Sequence, residues 1–326
     1  MTRADSEAQR SRIQLDVHAH VIPLREADVP GLSGVGWSER GRLVVDGAEL
    51  PKRELYDIDA LIAWMDAQRI ATAWISVPPT LYRVALDADE ANRWTRALNT
   101  AIARITAQAP RRLAAMFHLP VQHPDVAAAI ARDAVALGHR RFAMPAGDAQ
   151  RSRRLSDVEY VPLWEALDNG PSFLFLHPGR SCDPRFDALS LANLLGGPTE
   201  TAIAAAHLAM SGVLERYAGI TFCLAHGGGT IAAVAGRLAR GQDTERPGAY
   251  TAGERVRVAL TRCYVDCITH DPAALALAAA TFGRDRILFG SDWPFDMGLP
   301  RPHEQLAGVA KDLLQRIFVD NPGRLP

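Results

Sequence analysis

The sequence predicts an α/β fold, specifically a (β/α)8 TIM barrel with a small insertion after the first strand, and three observations carry that prediction. Short apolar, β-branched or aromatic runs alternate with longer helical ones along the 326 residues. The alternation resolves into eight strands, each followed by a helix. Histidines and an aspartate stand where several of the apolar runs give way to Gly, Pro or polar residues, the place where a buried strand ends and a loop begins.

The elements follow in order. Residues 1–12 are polar and charged, lack the apolar stretch of a signal peptide, and are expected to form a loose tail ahead of a barrel spanning 13–326. The first strand is IQLDVH (13–18). Residues 21–55 interrupt the alternation with several Gly and Pro and a hairpin around GRLVVDGAEL; they are expected to be an insertion that folds over the barrel mouth. A helix over 57–69 precedes strand 71–77, helix 88–109 precedes strand 112–117, and helix 124–137 precedes strand 139–144. Helix 158–168 leads to strand 172–177 with its apolar run FLFL, then to a long loop, 178–199, at the face where loops choose substrates. Helix 200–217, strand 219–225, helix 229–240, strand 262–268, helix 272–282, strand 286–291 and helix 303–317 complete the series. A doubly wound open sheet is the alternative, but it gives no reason for ligands on strands so far apart.

Composition narrows the function. Apolar residues make up 48 % of the chain, enough for a sizeable core. A formal net charge of −1 supplies no strong field for nucleic acid or an anionic membrane. The longest apolar stretch, Ala273 to Phe282, is too short to span a bilayer, so a soluble cytoplasmic protein is expected. Four cysteines do not suggest a disulfide framework in a chain this long; Cys223, Cys263 and Cys267 read as buried apolar side chains, and Cys182 lies in a polar loop. Lys52 and Lys311 are the only lysines and neither is at a strand end, which argues against Schiff-base chemistry or a lysine carbamate bridging two metals.

Four separated pieces read as one metal site: LDVHAH (15–20), FLFLHPG (173–179), LAHGGG (224–229) and LFGSDWPF (288–295). His18 and His20 are two apart at a strand end, so alternation points both the same way, with Asp16 in position to orient a ligand. His177 closes an apolar strand, where an imidazole is costly unless its nitrogens are paired. His226 opens a triple-glycine turn that lets a substrate approach the backbone; a phosphate-cradling loop is the weaker reading, because no GK[ST] ending follows. Asp292 closes the eighth strand as a ligand, a base or a helix cap. Taken singly, each histidine can equally be a satisfied core residue; together they point to a metal centre at a barrel mouth.

These pieces, with PRRLAAMFHLPVQHPDVA, LAHGGGTIAAVAGRLARG and YVDCITHDPAAL, resemble the amidohydrolase superfamily, and within it the metal-dependent decarboxylases similar to 2-amino-3-carboxymuconate-6-semialdehyde decarboxylase. The resemblance runs from about residue 13 to 298. It implies His18, His20, His177 and Asp292 as ligands of one zinc ion, with manganese as the other candidate, and His226 as the base for the metal's water. Arg53 roughly matches an arginine that holds a substrate carboxylate, and Arg237 one delivered into a neighbouring subunit's site, which implies a homodimer. The loop after the fifth strand departs from the family pattern: HPGRSCDPRFDAL replaces the usual Trp-Asp pair, so the substrate can differ.

The expected function is metal-dependent, non-oxidative decarboxylation of an unsaturated or aromatic carboxylic acid. In the expected route a water acidified by the metal adds across an electron-poor C=C, and loss of CO2 together with the added hydroxide restores the unsaturation, so that water is used and returned. The alternative is a hydrolase or hydratase acting on a lactone or ring-cleavage product; the ligands alone do not choose. Trp293 and Phe295 are expected to wall the pocket, and His118 stands at the same face. His270 is expected to lie where Asp271 and its neighbours cap the next helix.

Overall fold

The computed structural model describes residues 12–147, 150, 153–181, 183–249 and 253–325. Residues 1–11 of the expected tail, and Cys182, lie outside the described residues.

Two arcs of parallel strands form the centre. One runs from β1 (Ile13–His20) through β5 (Ile70–Ser76) to β6 (Leu113–Ala115). The other runs in chain order through β7 (Phe117–His118), β8 (Arg141–Pro145), β9 (Ser172–His177), β10 (Ile220–Leu224), β11 (Tyr264–Asp266) and β12 (Ile287–Leu288). The arcs meet at both edges. Between β6 and β7 stands Met116, whose amide still donates to Ile75 O at 2.8 Å, so the two halves make one stave. On the opposite side the Val17 amide donates to Phe289 O at 3.0 Å and the His20 amide to Trp293 O at 2.8 Å. Eight staves therefore enclose a cylinder, as expected.

Its interior is packed. Leu15, Val17, Trp74, Met116, Phe173, Phe175, Cys223, Tyr264 and Leu288 form an inner cluster, separate from the larger core between the strands and the outer helices. Burial on both faces explains the unbroken apolar run Phe173, Leu174, Phe175 and Leu176 in β9.

The helices lie close to their expected places. They include α1 (Ile58–Ala67), α2 (Ala88–Thr106), α3 (Pro124–Ala136) and α4 (Val161–Asp168). Asp57 and Asp87 cap the first two by accepting the amides of Ala60 and Glu90. The expected helix 200–217 is instead α5 (Gly197–Met210) and α6 (Val213–Arg216), parted at Gly212, whose φ of 79° is outside the helical range. Next come α7 (Ile231–Asp243) and α8 (Val256–Leu260), the latter not foreseen, and then α9 (Pro272–Phe282), at its expected bounds. The last expected helix, 303–317, is broken into α10 (Pro302–Gln305), α11 (Lys311–Gln315) and a wide helical turn over 316–320. The eighth strand keeps only two residues of ladder, because the chain turns into the site at Gly290.

The insertion carries a small antiparallel sheet, β2 (Val35–Trp37), β3 (Leu43–Val45) and β4 (Ala48–Glu49). Asp46 and Gly47, at φ of 50° and 82°, make the tight turn of the expected hairpin. Among the described residues, none of 21–55 lines the cavity at the mouth, so the insertion does not roof it. Arg104 on α2 grips Asp28, Arg83 grips Asp46, and Lys52 lies 3.4 Å from Asp296 at the rim.

Candidate metal centre

β1 brings two ligands to the rim by breaking its own alternation. Leu15 and Val17 pack in the inner cluster whereas Ala19 packs in the outer one. Strict alternation after Val17 would turn His18 away from the axis. The register against β5 slips between Asp16 and Ala19, and this irregularity lets His18 and His20 both face the mouth. Register then sets His20 opposite Ser76 and His177 opposite Pro145.

The result is a buried cage. One ligand atom from each of His18, His20, His177 and Asp292 lies within 4.8 Å of the others. The Nε2 atoms of His18 and His20 are 3.1 Å apart, and each is 3.2 Å from Asp292 Oδ1. The outer nitrogens are held from behind. His18 Nδ1 donates to Asp266 Oδ2 at 2.8 Å, His20 Nδ1 to Val77 O at 3.2 Å with Ser76 Oγ at 3.1 Å, and His177 Nδ1 to Pro178 O at 2.9 Å. With a proton on each Nδ1, the Nε2 atoms are the positions that turn toward Asp292 and could ligate an ion. That donor set, three imidazole nitrogens and one carboxylate, fits a single transition-metal ion.

The electrostatics agree. Burial disfavours charge on His18, yet Asp292 and Asp266 outweigh it and lift the imidazole to about 10. Burial, followed by the positive field of its histidine neighbours, drives His177 well below the usual histidine range. Asp292 is pushed up by burial but is held far below the carboxylate range by His18 and His20. The two carboxylates thus demand a cation in the cage. Asp16 sits beneath it, accepting the amides of His18 and Ser291 at 3.0 Å each; burial raises its carboxyl to about 7.

His226 lies beside the cage, its ring centroid 5.1 Å from that of His177 and 5.4 Å from that of His18. It has φ of 55°, and Gly227, Gly228 and Gly229 continue at 63°, 80° and 63°. A methyl added at Gly229 would lie 2.0 Å from Pro198 O, so the triple glycine is needed for close passage under α5. Burial, then His18, keeps the His226 imidazole toward its neutral form, and its Nδ1 has no partner among the described residues.

A cavity of about 490 Å³ opens above the cage, bounded by His177, His226, Asp292, Phe295 and the loop after β9. Phe295 lines this cavity, edge-on to His20 at 5.6 Å. Trp293 is buried outside the cavity lining, tilted against Trp64 of α1 at 6.5 Å, so it packs between barrel and helix. Arg53 is exposed on a turn at Arg53–Tyr56 and lines a separate cavity with Arg42 and Tyr56. Arg237 is exposed on α7, away from the cavity lining of its own subunit. His118 ends the third stave as expected, stacked on Tyr82 at 5.2 Å, with both ring nitrogens unpartnered. Asp271 caps α9, as expected, and His270 lines a recess beyond His226.

Two residues escaped the sequence reading. Asp266, in YVDCI, is a charge inside an apolar run, and that anomaly is its signal. Arg180, three residues after His177, is the one guanidinium among the described residues lining the cavity, and its signal is the departure of that loop from the family pattern.

A barrel with a single-ion cage at the C-terminal rim of its strands defines a class of metal-dependent enzyme. Residues 15–325 match the amidohydrolase family, and the chain belongs to it. The chain is 24 % identical over 316 residues to 2-amino-3-carboxymuconate-6-semialdehyde decarboxylase of Dictyostelium discoideum, covering 91 % of this chain and 86 % of that one. It is 27 % identical over 265 residues to gamma-resorcylate decarboxylase of Polaromonas sp. (strain JS666), covering 77 % and 81 %. A crystal structure of dihydroxybenzoic acid decarboxylase from Polaromonas sp. JS666, with bound manganese and the inhibitor 2-nitroresorcinol, superposes with a TM-score of 0.76 at 20 % identity over 96 % of both chains. No helix among the described residues is long and apolar enough to cross a membrane.

Proposed function

We propose that this protein is a metal-dependent carboxy-lyase that removes CO2, without oxidation, from an unsaturated or aromatic carboxylic acid. The observation that carries the reading is His226 standing beside a three-histidine, one-aspartate cage at the floor of a substrate-sized cavity. Relatives named as decarboxylases over most of the chain favour this chemistry over hydrolysis of a lactone.

His18, His20, His177 and Asp292 would hold the ion, and its donor set favours zinc, with manganese the alternative. When bound, the ion supplies Lewis acidity at the floor of the cavity. His226 carries the proton: neutral at rest, it can take one from water in the cavity and deliver it to the carbon that loses the carboxyl group. The C–C bond to the carboxylate breaks, CO2 leaves, and that proton takes its place. Phe295 offers an aromatic wall for the ring or diene, and Arg180 a planar cation for the carboxylate.

Arg237 belongs to the same reading as the arginine supplied to a second copy's site in a homodimer. Its helix also exposes Val234, one turn earlier, and Leu277 on α9 is exposed as well; apolar side chains of this kind suit an interface. Arg53 remains a candidate for carboxylate binding through its own cavity at the insertion.

The deciding experiment is CO2 release from the purified, metal-loaded enzyme against a panel of dihydroxybenzoates, carboxymuconate semialdehydes and lactones. Release from an acid supports the reading. Lactone opening with no CO2 from any acid rejects it in favour of the hydrolase.

A further inference from the structure

We propose that Asp266 is a positioning residue that makes the metal ligand His18 and the proton carrier His226 one mechanical unit, through a single oxygen atom. The inference rests on the reading of His226 given above.

Asp266 has no exposed surface, and its carboxylate is fully occupied. Oδ2 accepts from His18 Nδ1 at 2.8 Å and from the His226 amide at 2.9 Å. Oδ1 accepts from the amides of Gly227 at 2.9 Å and Ile268 at 3.0 Å. A buried carboxylate is tolerated only when donors surround it, and here four do. The division of labour between the two oxygens is the informative part. Oδ1 ties its own strand end, at Ile268, to the glycine turn at Gly227, whereas Oδ2 alone is shared between the metal ligand and the His226 amide.

Each branch from Oδ2 has a consequence. The bond to His18 keeps the proton on Nδ1 and so leaves Nε2 free to ligate. The bond to the His226 amide holds a non-glycine residue in left-handed backbone, a conformation that costs energy unless the surroundings enforce it, and thereby aims the imidazole at the cavity. The other ligands are braced differently. His20 leans on Val77 O and Ser76, and His177 on Pro178 O, and among the described residues none of these is hydrogen-bonded to His226. Nor is there slack for Asp266 to serve one branch and abandon the other. A methyl at Gly290 would stand 2.8 Å from both the Asp266 and His18 β-carbons, so the two side chains are packed across a gap only glycine fits.

The test uses Asp266→Asn and Asp266→Glu in the full chain, stripped with chelator and titrated with Zn2+ or Mn2+. An amide at this site can keep Oδ1 for Gly227 and Ile268 but replaces the shared acceptor with a donor. Three quantities are measured: metal affinity by chelator competition, hydrogen exchange of the peptide carrying His226 and Gly227, and kcat and KM at saturating metal. The expected result for Asp266→Asn is a 10- to 100-fold weaker metal affinity, faster exchange at His226, and a kcat at least about 10-fold lower that saturating metal does not restore, with little change in KM. Asp266→Glu should recover affinity and exchange protection together, in part or in full. Full kcat at saturating metal with normal exchange would confine Asp266 to bracing His18 and overturn the proposal, as would an unchanged metal affinity, or Asp266→Glu recovering one readout without the other. Affinity and exchange need no substrate, so they stand even if the decarboxylase reading fails; that failure would show itself separately, as absence of CO2 release by the unmodified protein.

Discussion

His18 and Asp292 are joined twice: the His18 carbonyl accepts the Asp292 amide at 2.7 Å, and His18 Nε2 lies 3.2 Å from Asp292 Oδ1. The first contact closes the barrel and the second belongs to the cage. Ligation and barrel closure are therefore one event, and the ends of the series of strands meet where the chemistry is.

Removing any ligand should empty the cage. Alanine at His18, His20, His177 or Asp292 is expected to lower metal content, measured by elemental analysis, well below one equivalent, because each variant loses one of the four donors that would hold the ion. Retention of a full equivalent in all four variants would disprove the site.

Gly290→Ala should damage the cage from behind without replacing a ligand. The added methyl must displace His18 or Asp266, each 2.8 Å from it. The expected outcome is loss of metal affinity with far-ultraviolet circular dichroism retained, and a stability cost of about 1–3 kcal/mol from overpacking. Unchanged affinity would show that the strand end can shift freely.

His226→Ala should separate binding from turnover. The residue is outside the four-ligand set, so metal content is expected to hold. Turnover should fall by about 10²–10⁴-fold, the usual contribution of a positioned acid–base group. Comparable kcat in the variant would assign the proton transfer elsewhere.

If Arg237 serves a neighbouring subunit, two inactive variants should repair each other. Subunits carrying Arg237→Ala, mixed with subunits carrying His226→Ala, are expected to regain part of the activity, since some mixed dimers hold one complete site. Mixtures as inactive as their components would place Arg237 outside catalysis.

His118 predicts an acid-sensitive fold. Burial lowers its imidazole to about 3, against 6.5 when unfolded. Below the unfolded value the unfolded chain binds a proton that the folded chain refuses. Stability is thus fully present above about pH 6.5, is lost as pH falls toward about 3, and levels off below that, by on the order of a few kcal/mol. Urea unfolding of metal-free protein between about pH 4 and pH 7 should show a shallower pH slope for His118→Phe, which preserves the stack on Tyr82. Identical slopes would mean that His118 reaches water in the folded state.

Much of this was legible in the sequence. Residue periodicity reports burial, and so the eight strands in their order, and helix α9 at its bounds, were readable, whereas the breaks in the expected helices 200–217 and 303–317 were not. Residues that contradict their surroundings report chemistry: a histidine ending FLFL or an aspartate ending RILFGS has a cost that only a partner repays, and this singled out His177, His226 and Asp292. The same logic applied to YVDCI would have found Asp266.

Tertiary structure decided what no local pattern contains. The slip in β1 that turns His18 inward depends on pairing with β5, more than fifty residues away in the chain. Arg180 came to line the cavity, and Arg53 to face a different one, through the path of loops whose sequences carry no period. Asp266 became the hinge between ligand and base only because β10, β11 and β12 lie side by side. Periodicity is a property of neighbours along the chain, whereas convergence of donors on one point is set by register and closure across it.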